Sequence, residues 1–446
     1  MYTHSAVPAG FFHSLLSSTA MSVDFLRRCA FEVGFVIRQP RKISAEALVA
    51  ALCEQSIHGS ASYNDVAAAL DAQGAPHPSR QAVANRMNAA FLLLCQKLLS
   101  KAIAHKVTCG SSIRQSGFLS SFKRVLIQDS TILKLPMWLF ESFSGVSNAH
   151  CAVCNARIQV VYDLVSMSFV EFSIDSYSRN DLAAASSLQL QCGDLVLRDR
   201  GYLTAEEIAR HIAAQAHCIY RHKTGTSYLD PATQNPIDLL ALLQSAGALD
   251  RTVLLNDKQR TCVRLVAAPV TPETAALRRM KAKKETRGHN PSQEVLALMD
   301  WTIFITTIPA SQADFRLLLA LYGLRWRIEI VFKSWKSHLH FDTIHRVSKT
   351  QLLILLAARL LVICALTNTL YKLCHQLLWQ RTRSPLSLLK FLNYISKNPN
   401  LIAPLVDSIQ SKRVHDPIWI SLKKYCCHEK RRRANFWEDY NRLLLS

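Results

Sequence analysis

Arg124-Val125-Leu126-Ile127-Gln128-Asp129-Ser130-Thr131 sets a short apolar run directly against an acid. A run that short and that apolar reads as a strand buried on both faces, and Gln-Asp-Ser-Thr reads as the turn that ends it. The same grammar returns at Leu195-Val196-Leu197-Arg198-Asp199-Arg200-Gly201-Tyr202. Between the two, Ile158 to Val165 and Phe169 to Ile174 read as a two-stranded hairpin, and Leu182 to Leu190 as a helix. A helix from Ala205 to Ala216 and a strand at Cys218-Ile219-Tyr220-Arg221 continue the unit. Strand, hairpin, helix, strand predicts an α/β fold. Asp129 and Asp199 close its first and last strands, where backbone pairing stops and side chains are free to converge on a ligand.

Composition says what that ligand is. The 446 residues carry 53 Lys and Arg against 32 Asp and Glu, a formal charge of +21, which implies a polyanionic partner. The cations are spread along the whole chain rather than gathered beside an apolar anchor, so nucleic acid fits and a membrane surface does not. At 49% hydrophobic content the chain can fill two to four cores. Thirteen cysteines, odd in number and irregularly spaced, argue against a disulfide framework and place the chain in a reducing cytoplasm. Cys151 and Cys154 after His150, with Cys426, Cys427 and His428, resemble part of a zinc site, but a second CxxC is missing. Leu352 through Leu366 is strongly apolar, yet Arg359 sits near its centre, where a charge in lipid costs at least about 2.5 kcal/mol. A core helix is the expectation. Phe11-Phe12 and Leu15-Leu16 have no basic run ahead of them, so a secretory signal is not expected, and Met21 is an alternative start.

Around the α/β unit the character changes. From Ser44 to about Ala104 the periodicity is helical, broken by Gln73-Gly74-Ala75-Pro76-His77-Pro78 and restarted by Ser79 as a cap. The second helix carries Arg80, Gln81, Asn85 and Arg86, a pattern shared by helix-turn-helix readers of the major groove and by plain helical hairpins. A connector follows from His105 to Lys123. Past His222, a hairpin through Val253-Leu254-Leu255 and Val263 to Val266 and a basic helix with Arg278, Arg279, Lys281, Lys283 and Lys284 read as an insertion. Trp301 opens an apolar strand, Thr302 to Ile308, and the core then resumes. The expected units are a helical domain with DNA-binding character at 1–115, a core in two parts at 116–221 and 301–390, an insertion at 222–300, and a basic helical segment at 391–446.

The core's second part holds the most specific pattern. If residues 321–336 form one helix, then Tyr322, Arg325, Glu329 and Lys336 fall within an arc of about 60°, beside an apolar stripe of Leu321, Leu324, Ile328, Val331, Phe332, Trp335 and Leu339. Such a stripe is either an i,i+4 ion-pair ladder or a phosphate-and-metal surface. Tyr, two residues, Arg, three residues, Glu, six residues, Lys resembles the signature of the insertion-sequence-four family of DDE transposases, bacterial cut-and-paste enzymes. The surroundings of Asp129 and Asp199 also look like that family's segments, and the layout around them is that of a ribonuclease-H-like core. The resemblance covers about Arg124 to Leu370. It implies catalytic, metal-binding roles for Asp129, Asp199 and Glu329, and DNA contacts for Tyr322, Arg325 and Lys336. It further implies a homodimer that pairs two transposon ends, acting in the bacterial cytoplasm on nucleoid DNA.

The chemistry suits these residues. Phosphoryl transfer on DNA needs one oxygen activated and another stabilised, and two divalent cations about 4 Å apart do both. Carboxylate oxygens favour Mg²⁺, with Mn²⁺ in its place. Singly, Asp129 also reads as a turn former, Asp199 as a partner of Arg198 or Arg200, and Glu329 as a partner of Arg325. In relatives that form hairpin ends a Trp of the insertion stacks on a flipped base; by position that is Trp301, which also reads as a core residue. Arg221, Lys223 and Lys430 to Arg433 read as phosphate contacts or as solvated charge. A DNA-binding repressor without turnover and a metal-dependent nuclease without strand transfer are the competing function classes, and the intact acid triad speaks against the first.

Overall fold

The apolar run at Val125 forms a strand, and it does not stop where the sequence suggests. In the computed structural model, which describes residues 21–38, 42–59, 62–105, 118–145, 152–178, 188–285, 290–413 and 416–429, β1 spans Arg124–Lys134. Asp129 therefore lies inside a strand rather than at its end. Gln-Asp-Ser-Thr stays extended because its backbone pairs with β2 (Asn155–Asp163), Asp129 opposite Val160 and Ser130 opposite Gln159. The hairpin partner β3 (Ser168–Ser176), then β4 (Asp194–Arg198) and β5 (His217–Arg221), stand where the sequence places them. The helix expected from Leu182 to Leu190 lies largely outside the described residues.

β1 pairs antiparallel with β2 on one side and parallel with β4 on the other, and β4 pairs parallel with β5. The order β3-β2-β1-β4-β5 is the ribonuclease-H-like arrangement. The sheet continues past it. β9 (Trp301–Thr306) joins β5 antiparallel, and β8 (Cys262–Pro269), β7 (Leu249–Leu255) and β6 (Tyr228–Leu229) follow, giving nine strands in the order β3-β2-β1-β4-β5-β9-β8-β7-β6. The insertion thus extends the core sheet, with its own apolar cluster around Leu243, Val253, Leu265 and Ile305. It also carries α7 (Leu239–Ala246), basic α8 (Pro272–Glu285) and α9 (Gln293–Leu298); α6 (Ala205–Ala213) lies between β4 and β5.

Alternation along β1 sets the layers. Val125, Ile127 and Leu133 enter the main helical core, whereas Leu126 joins Val161, Leu188 and Val196 in a separate cluster. Asp129, two residues beyond Ile127, keeps the helical face. That face is covered by helices from both ends of the chain. α1 (Val23–Glu32), α2 (Ala45–Ile57), α3 (Tyr63–Ala72), α4 (Arg80–Arg86) and α5 (Ala89–Ala104) are capped by Ser22, Ser44, Ser62, Ser79 and Asn88, each accepting the backbone N–H of the residue three positions on. Ser79 caps as expected. The helix after it ends sooner: Met87-Asn88 breaks it, and α4 meets α5 at 70°.

Past β9 come α10 (Phe315–Gly323), α11 (Trp326–His338) and α12 (Lys349–Cys364), which runs through a π-helical stretch (Ala365–Tyr371) into α13 (Lys372–Thr382). Lys349–Thr382 is long and apolar enough to cross a membrane, but its most apolar stretch is 83% buried inside this protein, against α2 and α5. Arg359, buried within it, donates from Nη1 to the Phe341 carbonyl at 3.0 Å. The π stretch turns Asn368 to bond both the backbone N–H and C=O of Phe169 at the start of β3. α14 (Leu388–Lys397) packs on α11, and α15 (Ile402–Gln410) and α16 (Pro417–Cys426) close the described chain.

Candidate active site

The last parallel pair of β1 and β4 is Gln128 with Arg198. Asp129 and Asp199 follow that pair directly, Asp129 still within β1 and Asp199 just past the end of β4. The backbone behind Asp199 is held from the far face of the sheet: buried Arg198 donates to Glu207 on α6 at 2.6 Å, and α6 also reaches the sheet through buried His211, which packs edge-on against Tyr220. Gln128 is fully buried on that far face, and neither its amide nitrogen nor its oxygen has a hydrogen-bond partner.

The third acid arrives on α11. The sequence reads residues 321–336 as one helix; the structure breaks it. α10 ends at Gly323, and Leu324, Arg325, Arg327 and Ile328 each bond the carbonyl three residues earlier, at 3.0, 3.1, 2.9 and 3.1 Å. This 3₁₀-type turn winds more tightly than an α-helix. Apolar spacing alone cannot distinguish the two, because Leu321, Leu324 and Ile328 are buried in either.

The break aims Arg325 across the sheet. Its Nη1 donates to Asp129 Oδ2 and its Nη2 to Glu329 Oε1, both at 2.9 Å. The i,i+4 pair with Glu329 was legible in the sequence; the contact with Asp129, 196 positions away, had no local signal. Asp129 Oδ1 also accepts the Ser130 N–H at 2.8 Å. Burial nevertheless pushes the Asp129 carboxyl up to about 6; the Ser130 bond and Arg325 oppose that rise, while Asp199 and Glu329 add to it. For Arg325 burial favours the neutral form, but Tyr322, Asp129, Asp199 and Glu329 outweigh it and raise its pKa. All three acids thus act on one guanidinium.

Tyr322 is buried against Phe304, with ring centroids 5.3 Å apart, and burial lifts its phenol to about 12 despite the Arg325 charge. Arg221, at the end of β5, also acts on that phenol. Lys336, further along α11, donates to the Ile132 carbonyl of β1 at 3.0 Å. Trp326 stands exposed at the start of α11, a feature with no signal in its sequence surroundings.

The remaining expected residues lie elsewhere. Trp301 is half-buried on the insertion cluster and donates from its indole to the Gly247 carbonyl at 2.8 Å. Arg80 is exposed at the start of α4, whereas Arg86 turns inward with its guanidinium 3.9 Å from the Phe35 ring centroid. Lys430 to Arg433 and Cys151 lie outside the described residues. Among the described residues, no three His, Cys, Asp or Glu side chains are drawn close enough to hold a metal ion. The position between Asp129 and Glu329 is taken by a cation of the chain itself. Hard carboxylate oxygens around a place that already accepts positive charge fit a divalent ion in donor chemistry.

Residues 120–365 match a family model described as the transposase DDE domain. The chain is 28% identical over 355 residues to the transposase for insertion sequence element IS231F of Bacillus thuringiensis subsp. israelensis, covering 74% of each chain. It is 26% identical to the transposase for IS231C of Bacillus thuringiensis subsp. berliner, over 86% of this chain and 84% of that one. The transposase for IS1151 of Clostridium perfringens is also 26% identical, over 63% and 64%. The piggyBac transposase in its synaptic complex with hairpin DNA superposes with a TM-score of 0.43 at 9% identity, over 97% of this chain and 88% of that one.

Proposed function

We infer that this chain, which belongs to the DDE-domain transposase family, binds the ends of its own insertion sequence, cuts them and joins the freed ends to new DNA. Asp129, Asp199 and Glu329 are the catalytic acids in this reading. The observation that carries it is one guanidinium bonded to both strand-borne Asp129 and helix-borne Glu329, with Asp199 directly after the β4 residue that pairs beside Asp129. A binding protein gains nothing from acids facing a polyanion, so the arrangement favours turnover over a repressor.

Asp129, Asp199 and Glu329 would hold two divalent ions, Mg²⁺ or Mn²⁺, which activate the attacking oxygen and stabilise the leaving one when bound. The chain's own part is positional. β1 and β4 fix the two aspartates at adjacent register positions, and α11 brings the glutamate over the same face of β1. Arg325 holds Asp129 and Glu329 in place, and with those acids occupied by metal its guanidinium would be free to face the phosphate. Tyr322, protonated at neutral pH, is a donor beside it, and Lys336 lies further along the strand path. The helices before β1 carry end recognition, with Arg80 outward, and two chains pair two ends at the bacterial nucleoid.

Asp129→Ala, Asp199→Ala and Glu329→Ala should each abolish nicking of a labelled duplex carrying the element's terminal repeat, while binding to that duplex stays intact or tightens. Near-normal nicking by any one variant removes that residue from the site. A labelled 3′ end that never appears in target DNA would favour a nuclease over a transposase.

A further inference from the structure

The seam between the N-terminal helices and the core holds a cavity of about 330 Å³ that the acid site does not use. Tyr63 and Asn64 at the start of α3, Arg80 at the start of α4, and His345 and Arg346 from the segment joining α11 to α12 line it, and no acidic side chain does. Two of its polar atoms, Tyr63 Oη and His345 Nε2, are enclosed without a hydrogen-bond partner. Buried polar groups normally meet a partner from the protein, a water or a ligand, so these two atoms can accept or donate to whatever enters the cavity. Burial holds the Tyr63 hydroxyl up at about 12, so it is a donor at neutral pH. The two walls are fitted to each other: a Cβ added at Gly59, after α2, would lie 2.6 Å from His340 Cγ in the same core segment.

A path leads from this cavity toward the acids. Trp138, 55% exposed, donates from its indole to the Val347 carbonyl at 3.1 Å, and the Arg346 guanidinium lies 5.7 Å from its ring centroid. Met137 beside it and Ile132 on β1 are also exposed. The Ile132 carbonyl takes the Lys336 ammonium, and Lys336 stands two helical turns, about 10 Å, beyond Glu329. Exposed aromatic and aliphatic surface alternating with cations is the composition of a nucleic-acid track.

We propose that this cavity is a second DNA-contact site, in which Arg80 and Arg346 grip one backbone phosphate of the transposon-end duplex while Trp138 lies against a base of the same strand. Its two walls come from different parts of the chain, so one phosphate would tie the end-binding helices to the catalytic core. The site rests on the transposase reading given above.

The test uses the full chain and a duplex copied from the terminal inverted repeat flanking its own reading frame, with affinity followed across a salt series. Arg80→Ala and Arg346→Ala should each make the salt dependence shallower by about one charge, and the double variant by about two. Arg346→Lys should restore the slope. Trp138→Ala should weaken binding about tenfold with the slope unchanged. In the unaltered chain, bound duplex should shield Arg80 and Arg346 from phenylglyoxal, read by peptide mass. That second measurement stands even where a substitution spoils folding. Wild-type slopes in both Ala variants, or arginines equally reactive with and without duplex, overturn the site while a wild-type chain that still binds and nicks preserves the transposase reading. A wild-type chain that does not bind the duplex overturns both.

Discussion

Arg325 is the residue on which the site turns, because one guanidinium bridges Asp129 and Glu329 and offsets part of their charge. Removing it leaves the largely buried Asp129 without its paired counter-charge, so Arg325→Ala should cost about 1.5–3 kcal/mol of stability in chelator. Added Mg²⁺ should then raise the melting temperature more in Arg325→Ala than in wild type, since the ion takes the vacated place. Equal shifts in the two would mean that Arg325 and the metal do not compete. Asp129 gives a pH test of the same arrangement. Its carboxyl sits near 6 in the folded chain against an ordinary 3.8, so the folded state holds the proton more tightly than the unfolded one. The stability this confers is complete below pH 4 and is lost as pH rises through 6. Asp129→Asn cannot titrate. Relative to wild type in chelator, it should therefore gain roughly 2 kcal/mol between pH 4 and pH 7; a difference independent of pH would place Asp129 in solvent.

At the scale of elements, local period and chain register divide what the sequence could reveal. β2 to β5 and the hairpin of β7 and β8 were legible because each is a compact apolar run bounded by turn residues. The far end of β1 was not: Gln128 to Thr131 has turn-forming side chains, and backbone pairing with β2, joined at Gln128 by β4, keeps it extended. The break at Gly323 to Arg325 was hidden because a 3₁₀ turn buries the same apolar residues as the helix it replaces. The acids and Arg325 were each visible singly, but the contact that joins them is set by sheet register and helix placement, which no local pattern encodes. The break also yields a prediction. Gly323 ends α10 with ordinary φ, and a Cβ there would touch nothing. Gly323→Ala should stabilise the chain by about 0.5–1 kcal/mol through reduced freedom of the unfolded state, with nicking retained. Raised melting temperature with lost nicking would instead show that the turn must reopen during the reaction.

Across the whole molecule, a single nine-stranded sheet carries both the acids and the insertion, so a force on the insertion is transmitted to β5 through β9 rather than through a linker. The longest apolar helix run is spent inside, against α2 and α5, leaving the surface to the cations. That distribution decides how the chain should meet DNA. With a net charge of +21, the proposed duplex binding should be driven chiefly by release of counterions, each phosphate neutralised adding about 0.9 to the slope of log affinity against log salt. An interface running from the seam at Arg346 past Lys336 to the acids, and onto the basic α8, would neutralise roughly 6–10 phosphates. Affinity for duplex DNA should then fall by roughly 10³–10⁵ between 50 and 200 mM salt, measured by anisotropy at fixed pH. A fall of only about tenfold would limit the contact to about two phosphates. The broad basic surface would then have no role on DNA, and the tie between end recognition and cutting would have to come from protein contacts alone.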